Sequence, residues 1–352
     1  MRRGVRIVNA GGVSRVAMLV APRQIELRDE PVPAPAAGEI VVRVRAALTD
    51  GTDLKAYRRG HPRMPMPTRF GHEFSGEVAA VGEGVTTFRG GDAVMCAHTA
   101  PCGRCFWCRG DQEELCEQVM PTMLLGAYAD YLRVPAHIVA RNCFPKPDGV
   151  SFSEGAFLEP LACVVHSVAL LDPKPGSIVV VIGNGGFGIL HALLLAKRGV
   201  RPLLAGRRQE RTTLAQELDI ETIDTNAQPL RESLLERTAG RGADAVVECT
   251  GSAAVWESAP DLVRRGGTVS FFGGLPSDAR VEFTAARLHY DEIRLMSPFH
   301  FAPCDVREAY ELIASHALPV MRLVSDSYRL SDIVTVFSRL DAGEGMKMLI
   351  EP

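Results

Sequence analysis

The chain has 352 residues, with 39 basic and 42 acidic side chains for a formal net charge of −3, and its length suggests roughly two domains of ~150 residues. The two signs are interspersed, so no basic surface invites nucleic acid or an anionic membrane, and no apolar run approaches the ~20 residues of a membrane span. Met1-Arg2-Arg3 is not followed by a signal-type apolar core, and the whole reads as a soluble, cytoplasmic protein.

Residues 1–16 carry little pattern and read as an extension. From Ile25 onward the text is β-like. Residues 25–28, a turn with Pro31, Pro33 and Pro35, and residues 39–46 alternate as short strands at barrel-like spacing, and 78–81 and 93–96 continue them between glycines. This first part is expected to be mostly antiparallel β. Within it, Asp50, His72 and Glu73 fall on loops, and a further acidic residue, Glu159, stands where the β-rich part hands over to a nucleotide-binding part. Each has a plain structural reading: Asp50-Gly51 is a turn dipeptide, His72 a buried histidine, Glu159-Pro160 a helix start.

The next signal is stronger. Cys102, Cys105, Cys108 and Cys116 are separated by two, two and seven residues. Four thiolates so close can wrap one tetrahedral Zn²⁺ with no position left for water, a structural site; an iron–sulfur cluster also uses four thiolates. Nine cysteines with four of them clustered suit a metal site in a reducing compartment better than a disulfide framework. Cys96, Cys143, Cys163, Cys249 and Cys304 are scattered and read as packing or surface residues.

Residues 177–182 form an apolar, β-branched run typical of a parallel strand covered on both faces. Gly183, Gly185 and Gly188 then give G-x-G-x-x-G, with Gly186 and Phe187 between them, followed by an apolar helix over 189–198. Such glycines permit a tight turn, close approach of a pyrophosphate, and helix–strand packing, and the helix N-terminus would face the phosphates. A second apolar run, 202–205, ends at Gly206, Arg207 and Arg208, where a ribose-reading residue should stand. No acidic side chain is there to hold a 2′-OH, whereas guanidinium groups suit a 2′-phosphate, so NADP is expected in preference to NAD. Solvated arginines opening a helix are the plainer reading. Later strands over 242–249 and 267–272 end at Thr250 and Gly273, a helix is expected over 306–315, and a last strand over 347–351.

Taken together, G-T-D-L-K at 51–55, G-H-E at 71–73, the four-cysteine loop, E-P-L-A at 159–162, the glycine motif and G-A-D-A-V-V-E-C-T-G at 242–251 resemble the zinc-dependent medium-chain alcohol dehydrogenases, most closely the sorbitol or iditol (polyol) type. The resemblance implies a Rossmann doubly wound parallel sheet over 161–297, and a β-rich GroES-like catalytic domain over 1–160 completed by 298–352. It also implies two Zn²⁺ per chain and a homodimer or homotetramer. The catalytic ion would lie in a cleft between the domains, held by Asp50, His72, Glu73 and Glu159 with one position for water or substrate. Most members have cysteine where this chain has Asp50; haloarchaeal glucose dehydrogenases resemble it in having Asp, and zinc accepts carboxylate oxygen at about the same distance as histidine nitrogen. Thr52 matches a hydroxyl that relays the alcohol proton, Asp53 a carboxylate that orients the liganding His72, and Tyr57 and His300 are weaker candidates for the substrate wall. The implied reaction interconverts a secondary alcohol of a polyol, sugar or cyclitol with its ketone. Aldose 1-dehydrogenase, aminocyclitol dehydrogenase, or an NADP-binding protein that lost its catalytic metal are the alternatives.

Overall fold

The computed structural model describes residues 12–352. Of the sixteen residues read as an extension, 1–11 lie outside the described residues, but Val13 to Val16 open a strand, which corrects that reading. Its inward positions alternate as Ser14 and Val16, both about fully buried, and a buried serine hides the apolar alternation that marks a strand. The serine is satisfied: Ser14 Oγ accepts the Tyr131 amide at 3.2 Å.

The chain divides into two compact units, one formed up to Ala162 together with Phe301–Pro352, the other by Cys163–His300. The first contributes strands β1 (Val13–Ala21), β2 (Gln24–Pro31), β3 (Ile40–Leu48), β4 (Thr68–Arg69), β5 (Glu73–Val81), β6 (Ala93–Cys96), β7 (Tyr131–Val134) and β8 (Cys143–Pro145). The second contributes β9 (Ile178–Ile182), β10 (Arg201–Gly206), β11 (Glu221–Asp224), β12 (Ala243–Glu248), β13 (Val263–Phe271) and β14 (Arg294–Met296). The C-terminal segment returns β15 (Val324–Arg329) and β16 (Lys347–Glu351) to the first unit.

In the first unit β1 pairs antiparallel with β2 and β4, and a seven-stranded sheet runs β15-β16-β3-β5-β6-β8 with β7 also on β3. Apart from the parallel β15–β16 pair its ladders are antiparallel, as expected. The core gathers Ile40, Val42, Phe70, Phe74 and Tyr128 from the N-terminal part with Ile333 and Phe337 of the helix Ile333–Asp341 and Ile350 of β16. Tyr57 belongs to this core, its ring 5.4 Å from that of Phe337, so it packs rather than lines a wall.

The second unit is one six-stranded parallel sheet in the order β11-β10-β9-β12-β13-β14. The order reverses between β9 and β12, and in open α/β sheets ligands bind beyond the strand ends at such a point. β13 starts at Val263, earlier than its apolar text, because Arg264 and Arg265 sit in it exposed. The charge of Asp244 within β12 is absorbed locally: Oδ2 accepts the Ile178 amide at 2.8 Å and Oδ1 pairs with Arg264. Among the described residues no helix is long and apolar enough to cross a membrane.

Candidate metal centre and nucleotide turn

Where β3 ends, the chain turns into the helix Gly51–Arg59, and Asp50 is its N-cap, with Oδ1 accepting the Asp53 amide at 2.8 Å. Asp50 is therefore fixed by the helix start rather than carried on a free loop. The cap uses one oxygen and leaves Oδ2 3.8 Å from His72 Nε2. Thr52 and Asp53 fill the first helical turn, the former half-buried and the latter buried.

His72 stands just before β5. Its neighbour Gly71 adopts φ +87°, and a Cβ there would meet the Tyr128 ring at 2.8 Å, so only glycine permits that approach. The Tyr128 hydroxyl donates to Asp53 Oδ2, while Asp53 Oδ1 lies 3.1 Å from His72 Nδ1. A neutral His72 with its proton on Nδ1, facing Asp53, would present Nε2 as the lone-pair nitrogen, the tautomer a metal requires.

Glu73 opens β5 and Glu159 lies in the first turn of the helix Leu158–Leu171. His72, Glu73 and Glu159 each offer a donor atom within 4.8 Å of the others, as do Asp50, Asp53 and His72. Two further residues complete the cluster. Lys347 Nζ donates to Glu73 Oε1 at 2.7 Å and to the Thr49 carbonyl at 3.1 Å, and both charged side chains are buried. His98, just after β6, brings Nδ1 within 3.3 Å of Glu159 Oε1 and its ring within 4.9 Å of the His72 ring. A lysine inside the apolar M-K-M-L-I strand is a readable anomaly, but nothing in the sequence pattern points to His98.

Charge tests whether a metal fits. Asp50, Asp53, Glu73 and Glu159 are all buried, against a single buried lysine. Burial pushes the Asp50 carboxyl up, and Glu73 well up despite Lys347. Burial works against charge on His72 too, yet the Asp53 and Asp50 carboxylates outweigh it and hold its pKa well above the ordinary histidine value. Burial draws His98 down. Buried carboxylates gathered around a histidine whose Nδ1 lies against Asp53 would fit a divalent cation.

The cysteine loop passes its own test. A tetrahedral zinc with ~2.3 Å bonds sets its sulfurs roughly 3.8 Å apart. Here Cys105 and Cys108 Sγ are 3.5 Å apart, Cys102 and Cys108 4.0 Å, and all four including Cys116 lie within 4.8 Å. The amides of Cys108 and Glu117 bring the Cys105 thiol down to about 6, whereas burial and the adjacent sulfurs push Cys108 up to about 12. Four sulfurs at this spacing would fit one tetrahedral zinc.

In the second unit Gly183 follows β9, and the helix Gly186–Lys197 starts three residues earlier than its apolar text, with Gly185 as N-cap and no side chain on the cap. This helix start is formed by backbone alone, as the glycine motif predicts. A Cβ on Gly188 would fall 1.8 Å from the Gly183 carbonyl oxygen, which is how closely the helix packs on the turn. Thr250 and Gly273, beyond β12 and β13, are tied together by Glu248, whose carboxylate accepts the Thr250 amide at 2.6 Å and whose backbone carbonyl accepts the Gly273 amide at 2.8 Å. Gly206 ends β10, and Arg207 and Arg208 are exposed beyond it, Arg208 as N-cap of the helix Gln209–Glu217. Arg211, one turn on, was legible only as a helix residue, but its Nη1 lies 3.8 Å from where a Gly185 Cβ would be. His300 closes the unit at φ +62°, its ring 5.8 Å from Phe299.

Comparison with known proteins agrees with both units. Residues 36–148 match the alcohol dehydrogenase GroES-like domain and residues 186–315 the zinc-binding dehydrogenase family. The sorbitol dehydrogenase of Halalkalibacterium halodurans is 30% identical over 334 residues, 93% of this chain and 95% of that one. The D-altritol 5-dehydrogenase of Agrobacterium fabrum is 30% identical over 310 residues, 86% of this chain and 88% of its own. A zinc-binding dehydrogenase from Sinorhizobium meliloti, solved with NADP bound, superposes with a TM-score of 0.88 at 29% identity, covering 97% of this chain and all of its own. The chain belongs to the zinc-dependent medium-chain alcohol dehydrogenase family, enzymes acting on CH–OH groups, with polyol dehydrogenases among its relatives.

Proposed function

We propose that this protein is a zinc-dependent dehydrogenase that interconverts a secondary alcohol of a polyol, sugar or cyclitol with its ketone, using NADP in preference to NAD. The observation that carries this reading is a pair of buried donor clusters that share His72, one with Asp50 and Asp53 and one with Glu73 and Glu159, drawn from a helix cap, a strand start and a helix first turn. His72, Asp50 and Glu159 would hold the cation, with Glu73 adjoining them and neutralised by Lys347. When bound, zinc polarises a substrate hydroxyl and the nicotinamide accepts the carbinol hydride. The protein's own part is positional: Asp53 keeps the proton on His72 Nδ1, the Asp50 cap fixes its carboxylate, and Thr52, in the helical turn that Asp50 caps, would pass the alcohol proton outward. Cys102, Cys105, Cys108 and Cys116 would hold the second, structural zinc. The turn from Gly183 to Gly188, with Gly186 and Phe187, would seat the pyrophosphate, Thr250 and Gly273 would border the cofactor, and Gly206, Arg207 and Arg208 would read the 2′-phosphate. Four clustered thiols favour a reducing compartment, the cytoplasm.

Metal counting and a panel of polyols, sugars and cyclitols test the reading directly. Two zinc ions per chain and NADP-dependent turnover of a member of the panel are expected; one zinc and no turnover would leave a nucleotide-binding protein. Asp50→Ala should abolish turnover while nucleotide binding survives. A loss below about tenfold in kcat/KM, ~1.4 kcal/mol, would remove Asp50 from the metal set.

A further inference from the structure

Two of the cysteines that look scattered in sequence meet in the fold. Cys96 ends β6 and Cys143 opens β8, 47 positions apart, and the two face each other across the antiparallel ladder. The flanking hydrogen bonds define the kind of pair. The Ala97 amide donates to the Asn142 carbonyl at 3.0 Å and the Lys146 amide to the Ala93 carbonyl at 2.8 Å, which makes Cys96 and Cys143 a non-hydrogen-bonded pair. In such pairs the Cα atoms approach to about 4.5 Å and the side chains stand closest, inside the window of about 4.4–6.8 Å that a disulfide needs. The sulfurs are 2.9 Å apart. Both thiols are buried, Cys96 completely and Cys143 at 8% exposure, and β8 is the edge strand of the sheet.

We propose that Cys96 and Cys143 are an oxidisable pair that closes to a cross-strand disulfide by exchange with a low-molecular-weight disulfide of the glutathione type. The thiolate of Cys143, on the edge strand, attacks one sulfur of that disulfide, forming a mixed disulfide and releasing one thiolate. Cys96 then attacks the Cys143 sulfur and releases the second. Two protons leave the protein thiols for the two released thiolates, so the protein loses two electrons and two protons and the small disulfide becomes two thiols. Burial holds the Cys143 thiol well above its ordinary range, so exchange runs through opening of the three-residue edge strand and takes minutes to hours.

Placement gives the bond a consequence. The chain between the two cysteines contains the whole four-cysteine cluster, and the Asn142 side chain beside Cys143 donates to the Thr99 carbonyl at 2.7 Å, next to His98. A bond here fastens β6 to β8 at the base of that segment. It limits how far the segment can unfold when the cluster loses its metal.

The zinc-loaded full chain, in which the clustered thiolates are protected, is incubated with oxidised glutathione, denatured in iodoacetamide and mapped by mass spectrometry. A linked peptide pair containing Cys96 and Cys143, two mass units below the sum of its reduced parts, is expected. It should be reversible by dithiothreitol and accompanied by a rise in Tm of about 5 °C. Exposed Cys304 reports whether the oxidant acts. Glutathionylated Cys304 with Cys96 and Cys143 recovered singly alkylated after a day would overturn the proposal, and so would linkage of either residue to a cysteine of the 102–116 cluster. Cys96→Ala and Cys143→Ala, made separately, should each abolish the linked pair and the Tm rise; persistence of the Tm rise in both would assign it elsewhere. The mapping of the unaltered chain decides the question even where a variant folds poorly.

Discussion

Asp53 Oδ1 lies 3.1 Å from His72 Nδ1 in a contact from which both residues' burial excludes water, and the second Asp53 oxygen is held by Tyr128. Through this pair a helix residue orients a histidine two elements away. Asp53→Ala should weaken zinc binding at the Asp50–His72 cluster by about 10- to 100-fold, the usual effect of removing such an orienting carboxylate. Chelator competition measures it, with the cysteine-bound ion as internal reference. Equal affinity in variant and parent would mean that the carboxylate serves only packing.

The buried Lys347–Glu73 pair gives a stability prediction. Lys347→Met leaves Glu73 buried without its cation, which should cost about 3–5 kcal/mol in urea unfolding. Burial already pushes the Glu73 carboxyl upward with Lys347 opposing, so the variant's Glu73 takes up a proton at higher pH. Adding Glu73→Gln should recover part of the loss. A cost under about 1 kcal/mol for Lys347→Met would show that the pair is solvated.

For the cysteine loop, Cys105→Ser removes a thiol that backbone amides bring down to about 6. Zinc content should fall by about one per chain, and protease sensitivity should appear within 102–116, because metal binding there is coupled to local folding. Unchanged zinc content would refute a closed four-thiolate site.

Cofactor choice rests on Gly206, Arg207 and Arg208. If both arginines reach the 2′-phosphate, kcat/KM should favour NADP over NAD by about 30- to 1,000-fold, ~2–4 kcal/mol, and Arg207→Ala with Arg208→Ala should erase most of it. Equal use of the two cofactors by the parent would mean that the arginines face solvent.

Converting the site to NAD is harder than the sequence suggests. A Cβ on Gly206 would sit 2.1 Å from Asn184, whose side-chain amide donates to the Arg208 carbonyl at 2.9 Å and to Thr212 at 3.1 Å. Gly206→Asp must displace Asn184 and should cost roughly 1–3 kcal/mol of stability. A thermal shift within error of the parent would show that Asn184 yields freely.

Local patterns carried most of what was legible. The four cysteines, the glycine turn after an apolar run, and the short alternating strands each lie within a few tens of residues, so spacing alone encodes their geometry. The β12 and β13 strands were readable despite Asp244 and Glu248. Strand β1 is not legible in the sequence, where β text begins only at Ile25, and Ser14 at an inward position breaks the alternation of its first half.

By itself, then, the sequence determined the family, the parallel sheet with its nucleotide turn, the β-rich companion and the list of candidate ligands. Tertiary structure alone decided which oxygen of Asp50 caps a helix and which faces His72, that Lys347 neutralises Glu73 from 274 positions away, that His98 joins Glu159, and that Cys96 meets Cys143. The physical reason is one of range. Helix caps, turns and metal-loop spacings are set by neighbours in the chain, whereas the partner of a buried charge is chosen by which strands the sheet brings side by side, and strand order is a property of the whole core.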